Sequence, residues 1–168
     1  MLKAVDIASY FINKDTGRLL FNKEFIHKNG RGFYEGNARL NKYLHLAQNI
    51  YIAKTGSKLF NEDLYAYDNG GVVLPVQENY SILLTMKRNV AIPDDVCVFL
   101  DKIYKIFENA SIDELIELSH EDNEWENKHI YHMRKEDQKM DSLSHVDEYK
   151  EQYRDIIKVM DRMVLWQI

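Results

Sequence analysis

Leu40-Asn41-Lys42-Tyr43-Leu44-His45-Leu46-Ala47-Gln48-Asn49-Ile50-Tyr51-Ile52-Ala53-Lys54-Thr55-Gly56 reads as a helix with two faces. Leu40, Tyr43, Leu44, Ala47, Ile50 and Tyr51 recur at three- and four-residue steps, the signature of one apolar stripe on a 3.6-residue period. Asn41, His45 and Gln48 stand at i, i+4 and i+7 and form a second, polar ridge round the axis. Gly56 falls where a helix C′ residue with positive φ is wanted. A core helix that carries amides and an imidazole in register marks either a site or an interface.

Working outward, the spacing predicts an opening helix over 4–13, with Val5, Ala8, Phe11 and Ile12 on one face. Residues 19–36 lack helical periodicity, and Asn29-Gly30 is the strongest two-residue hairpin signal in the chain. A short extended segment with a tight turn is expected over 64–75, through Asp68-Asn69-Gly70-Gly71. A helix is predicted over 76–87, and a clearer one opens at Pro93-Asp94-Asp95, with Val96, Phe99, Leu100, Ile103, Ile106 and Phe107 as its core face. Ser111-Ile112-Asp113-Glu114 is a capping box that starts a helix over 112–119. The stretch 121–141 is acidic, with Trp125, Ile130, Tyr131 and Met133 as isolated anchors. A final helix is expected from 146 to 166, with Tyr149, Tyr153, Ile156, Met160 and Met163 in one stripe. The fold expectation is all-α: a compact, single-domain helical bundle over 1–168 with at most a small β-hairpin, and 129–168 as a C-terminal helical extension.

The chain has 168 residues, one cysteine, two prolines and seven glycines, which argues against a disulfide framework, a cysteine-only zinc site and a disordered chain. Lys3 and Asp6 interrupt the first apolar run too early for a signal peptide, and no window is apolar enough to span a membrane. The expected compartment is the cytoplasm. Charge is uneven: residues 1–60 carry ten Lys/Arg against four Asp/Glu, whereas 61–119 carry four against eleven. The basic residues are dispersed, with no run longer than two, so nucleic acid is a poor fit. A bipolar surface suits an oppositely charged protein partner.

No nucleophile elbow, phosphate loop, dinucleotide fingerprint or H-E-x-x-H motif is present, and no cofactor is expected. Cys97 lies among valines and a phenylalanine, where a thiol is ordinarily inert. His129 and His132 stand three apart and, on a helix, share a face with Glu136; His120 precedes them. That spacing can hold a metal, which makes a metal-dependent enzyme the rival reading. Against it, the surroundings read as charged and solvated. A phage-encoded DNA-binding regulator is a third reading.

The segments taken in order resemble the Panacea domain, or SocA-like antitoxin family, of phage-associated proteins. The resemblance runs over about residues 4–128. The family's helix motif falls on Leu40, Lys42, Leu44, Ala47 and Gln48, its turn motif on Gly70, Val72, Val73 and Pro75, and its late motif on Leu115, Leu118, His120 and Trp125. Gly71 stands where the family usually has proline, Leu74 is an extra residue before Pro75, and Glu124 stands where proline is common. The resemblance implies a non-enzymatic, protein-interaction domain of a toxin–antitoxin system. Such a domain neutralises a toxin encoded beside it, in at least one member as a protease adaptor. The leucines of the motifs read as packing. Asn41, Lys42, His45, Gln48 and His120 either tie helix, turn and late segment together or bind a partner.

The apolar surface widens towards Val164, Leu165, Trp166 and Ile168. The end from Met160 to Ile168 is therefore expected to be partly exposed and to contact a toxin or a second copy of the chain.

Overall fold

The computed structural model describes residues 1–86, 88–130 and 136–164. Helices dominate them: α1 (Ala4–Lys14), α2 (Glu35–Thr55), α3 (Leu74–Glu78), α4 (Tyr80–Thr85), α5 (Asp94–Phe107), α6 (Ile112–His120), α7 (Asn123–Lys128), α8 (Val146–Gln152) and α9 (Arg154–Arg162), with two 3-10 turns at Glu136–Gln138 and Ser142–His145. Two antiparallel hairpins complete them, β1 (Phe25–Lys28) with β2 (Arg31–Tyr34) and β3 (Tyr65–Tyr67) with β4 (Gly70–Val72). The fold is mainly α, as the periodicity predicts, and a small hairpin occupies each of the two non-helical stretches.

The first hairpin turns at Asn29-Gly30, both at positive φ (52° and 75°), the geometry whose twist matches paired strands. Gly56 closes α2 at φ 75°, as its position after the last helical residue predicts. The capping box at α6 forms: Ser111 Oγ accepts from the Glu114 amide at 3.1 Å, and Glu114 Oε1 accepts from the Ser111 amide at 3.1 Å.

Helix α2 is the axis of the molecule. Every residue from Arg39 to Ile50 is buried, so it is a central helix rather than one with a wet face. Phe11 and Phe21 set their edges on Tyr43 at 5.5 Å between ring centres. Ile7, Leu100, Ile103, Leu115, Tyr149 and Met160 share the same continuous core.

Four boundaries differ from the sequence expectation. Helix α2 starts at Glu35, five residues early, because the Glu35 amide finds the Glu24 carbonyl at 2.8 Å while its acid sits in the first turn. The helix expected over 76–87 begins at Leu74, takes Pro75 into its first turn and breaks at Asn79; Lys87 lies outside the described residues. The expected final helix is two helices that meet at Tyr153 (φ −101°, ψ 12°). The acidic stretch after α6 is not a solvated surface, since Asp122, Glu124 and Gln138 are all buried.

Candidate functional site

The polar ridge of α2 faces inward and stitches the helix to backbone. Asn41 Oδ1 accepts from the Val73 amide at 2.9 Å. The Lys42 ammonium donates to the Gly71 carbonyl at 2.8 Å. Gln48 accepts from the Leu59 amide at 2.7 Å and donates to the Phe60 carbonyl at 3.1 Å, replacing a missing strand partner for that segment. All four polar side chains of the ridge, Asn41, Lys42, His45 and Gln48, are essentially inaccessible. Buried polar groups carry a heavy cost unless hydrogen-bonded, and these are.

His45 links two elements. Its Nδ1 accepts from the Gly71 amide at 3.2 Å, which fixes the proton on Nε2. Nε2 then donates to Asp122 Oδ2 at 2.7 Å. Gly71 is required twice over. A Cβ there would stand 2.7 Å from His45 Nδ1, and a proline would lack the N–H that His45 uses. Gly70, at φ 109°, leaves equally little room: its Cβ would meet Ser119 Oγ at 2.2 Å and Lys42 Cε at 2.7 Å.

Asp122 is the hub. Oδ2 accepts from His45 and from Asn49 Nδ2 (2.8 Å), and Oδ1 accepts from the Tyr149 hydroxyl (2.8 Å) and the Glu124 amide (2.9 Å), the last capping α7. Burial by itself raises a carboxyl pKa, but the hydrogen bonds led by His45 win and hold Asp122 below the ordinary range. Burial and the Asp122 charge push the Tyr149 and Tyr153 phenols up, so both stay neutral, Tyr149 donating to Asp122 and Tyr153 accepting from Asn49 at 3.1 Å. Two residues along, buried Glu124 accepts from His145 Nε2 at 3.0 Å and from the Asp141 amide. Asp122 and Glu124 thereby dock the C-terminal segment onto α2 and α7.

Trp125 pins the second hairpin, its indole N–H donating to the Tyr67 carbonyl at 2.8 Å. His120 and His129 stack on it nearly parallel, with ring centres 3.9 and 4.5 Å away. Two rings so close to one centre have no room side by side, so they take opposite faces. His120 Nε2 donates to the Asp68 carbonyl at 3.0 Å, and His129 Nε2 lies 2.8 Å from Asp68 Oδ1. Burial pushes His120 down to about 4, against the pull of that carbonyl, and it is neutral at physiological pH.

The helical His129–Glu136 face on which the rival metal reading rests does not form among the described residues. An indole separates His120 from His129, and α7 ends at Lys128, so His129 is extended rather than helical (φ −71°, ψ 130°). Glu136 sits in a separate turn and accepts from Tyr65. His132 lies outside the described residues. Among the described residues no three His, Cys, Asp or Glu side chains are grouped to hold a cation.

Between the two hairpins and α2 lies a cleft of about 120 Å³. Arg31, Asn69 and Gln77 line it, Tyr67 and Val72 give it apolar wall, and Asp68 and Lys42 stand at its base. Arg31 Nε is 3.2 Å from Asp68 Oδ2. Lys42 has no carboxylate within ion-pair distance among the described residues, and burial lowers its ammonium to about 7.

The C-terminal expectation is met differently at each residue. Met160 is fully buried in the core, a correction to its expected exposure, because Arg154–Arg162 lays that side inward. Val164 is exposed. Trp166, with Leu165 and Ile168, lies outside the described residues. Pro75 is exposed in the first turn of α3.

Sequence reasoning passed over Asn49, Asp68, Asp122, Tyr149 and Tyr153 as polar members of this site. Asn49 had a legible signal, since it stands one helical turn from His45 on the same ridge. Asp122 had a weaker one, as an N-cap before Trp125.

A family model described as the antitoxin SocA-like, Panacea domain matches residues 40–126. The matched segment contains α2 from Leu40 onward, the second hairpin, Asp122 and Trp125, and Tyr149 and Tyr153 join the network from beyond it. No curated protein and no solved structure matches the chain.

Proposed function

The chain belongs to the SocA-like antitoxin, Panacea-domain family, and from that premise we propose that it binds and neutralises a cognate toxin encoded beside it. The family match over 40–126 carries the reading. The site chemistry supports it. Imidazoles, amides and carboxylates that could serve catalysis are spent on holding elements together: His45 is sealed between Gly71 and Asp122, and His120 is neutral and stacked. Neutralisation takes the form of direct masking or of delivery to a protease as an adaptor.

The DNA-regulator reading loses its electrostatic support. Lys14 pairs with Asp101, Lys28 with Asp113, Arg31 with Asp68 and Lys54 with Asp161, so the basic first third is matched by acids from later in the chain. A phosphate-binding face needs several unpaired cations together.

The test is co-expression with the product of the adjacent open reading frame. That product is expected to arrest growth alone and to be rescued by this chain. A harmless neighbour, or one that is not rescued, overturns the reading. A toxin half-life that shortens in the presence of this chain assigns the adaptor form; an unchanged half-life assigns masking.

A further inference from the structure

Lys42 is fully buried and hydrogen-bonds to the Gly71 carbonyl, with no carboxylate in ion-pair distance among the described residues. Buried ammonium groups are ordinarily paired, because an uncompensated charge in a low-dielectric site is costly. The side chains that approach it leave that charge uncompensated. From the hairpins, Asp68 is shared between Arg31 and His129. From α6, His120 is neutral and adds no negative charge. One turn along α2, His45 directs its Nε2–H to Asp122, away from Lys42, in a hydrogen bond. Lys42 is one of the residues that line the cleft, together with Asn69 and Gln77, whose side chains carry amides.

We propose that this cleft is a carboxylate-binding site, with Lys42 as the cation at its base and the Asn69 and Gln77 amides as further donors. Three observations narrow the ligand. The volume of about 120 Å³ is well below the several hundred Å³ of cofactor pockets, so the cleft admits one acidic group and a short stem, not a nucleotide. Asp68 lies in the wall, so a monoanion is favoured over a phosphate dianion, which it repels. Tyr67 and Val72 offer apolar wall to the stem. The carboxylate comes either from a free small acid or from a protein: an acidic side chain or C-terminus of the toxin. Only the second source rests on the toxin-binding reading.

Binding requires charged Lys42 and an ionised carboxylate, so affinity is expected to be level between about pH 5.5 and about pH 7, to fall about tenfold per pH unit above that, and to fall again where the ligand acid protonates. The direct test is an amide NMR titration of the full chain with sodium acetate, with acetamide and inorganic phosphate as controls. Acetate is expected to move the resonances of Asn69, Gly71 and Val72, acetamide not to, and phosphate to act more weakly. Lys42→Met is expected to abolish the acetate response. In the unsubstituted protein, the Lys42 Cε resonance is expected to titrate near neutrality and to move to higher pH with acetate. Silent cleft resonances, a Lys42 titration indifferent to acetate, or a stronger response to phosphate each overturn the proposal. The source is then read from the toxin. Toxin binding that Lys42→Met weakens and acetate competes assigns the carboxylate to the protein, and insensitive toxin binding assigns it to a free acid. Because the acetate titration needs no toxin, failure of the site and failure of the antitoxin reading give different results.

Discussion

Replacing Asp122 by alanine removes the acceptor of four hydrogen bonds at once and strands His45, Asn49 and Tyr149 in a dry interior. Asp122→Ala is expected to cost roughly 3–5 kcal/mol by urea denaturation, the scale of breaking a buried charged network. The same carboxylate gives an acid limit. Its folded pKa lies below its unfolded one, so its contribution is full above the ordinary carboxylate range and is lost as pH falls through it. Asp122→Asn should flatten that part of the acid-unfolding curve. Lys42 has the opposite sign. Its ammonium is held at about 7 in the fold against 10.5 for an ordinary lysine, so the unfolded chain binds more protons between those values and stability rises with pH across them. Below that window the buried charge costs on the order of 5 kcal/mol. Lys42→Met, of similar length and uncharged, is expected to raise the urea midpoint at about pH 6, with a gain that shrinks towards about pH 10. A gain independent of pH would assign the effect to packing instead.

At the scale of elements, β4 lies close enough to α2 and α6 that a single methyl decides its position. Gly71→Ala drives a Cβ to 2.7 Å from His45 Nδ1 and is expected to cost about 1–3 kcal/mol through overpacking. Gly71→Pro adds the loss of the N–H to His45 and should be the more destabilising of the two in thermal melts. Equal melting points would show that the hydrogen bond carries little. Where the sequence was legible, the cause was local. Asn29-Gly30 specifies its own turn, the Ser111–Glu114 box closes over three residues, and α2 announces its core stripe by period. Where it was not, the cause lay far along the chain. The stretch after α6 reads as a solvated acidic segment because its partners, His45 and Asn49, stand more than seventy residues earlier. The ridge on α2 was visible, but whether it faced water or a buried carboxylate depended on that distant segment. The stacking of His120 and His129 on Trp125 was equally hidden, because helical spacing placed His129 beside His132 rather than across an indole.

At the scale of the molecule, cations from the first third of the chain meet acids from later in it. The basic first third is neutralised by acids from α5, α6 and α9, which turns a bipolar sequence into a paired surface. Those exposed pairs add little stability each; their consequence is the absence of a concentrated field. The C-terminal segment does more. Met140 donates its amide to the Leu64 carbonyl and Gln138 donates to the Ala66 carbonyl, covering the outer edge of β3, while Tyr149 reaches Asp122 and Tyr153 accepts from Asn49. Residues 136–164 therefore complete a network whose other half lies within the family-matched segment 40–126. A chain ending at residue 135 loses the buried Met140, Tyr149, Tyr153 and Met160. Each such loss is worth about 2–5 kcal/mol, so together they approach or exceed the total stability of an ordinary domain, about 5–15 kcal/mol. That truncation is expected to abolish cooperative unfolding in calorimetry. A chain ending at Asp161 keeps all four, together with the Lys54–Asp161 pair, and gives up only exposed Arg162, half-buried Met163 and exposed Val164 among the described residues. It should retain a cooperative transition within about 2 kcal/mol of the full chain. The pair of truncations thus separates two roles for the C-terminal end. If the shorter cut folds but no longer restrains the toxin, residues 162–168 belong to the docking surface; if it folds and still protects, the surface lies elsewhere, with the cleft over Lys42 the next region to substitute.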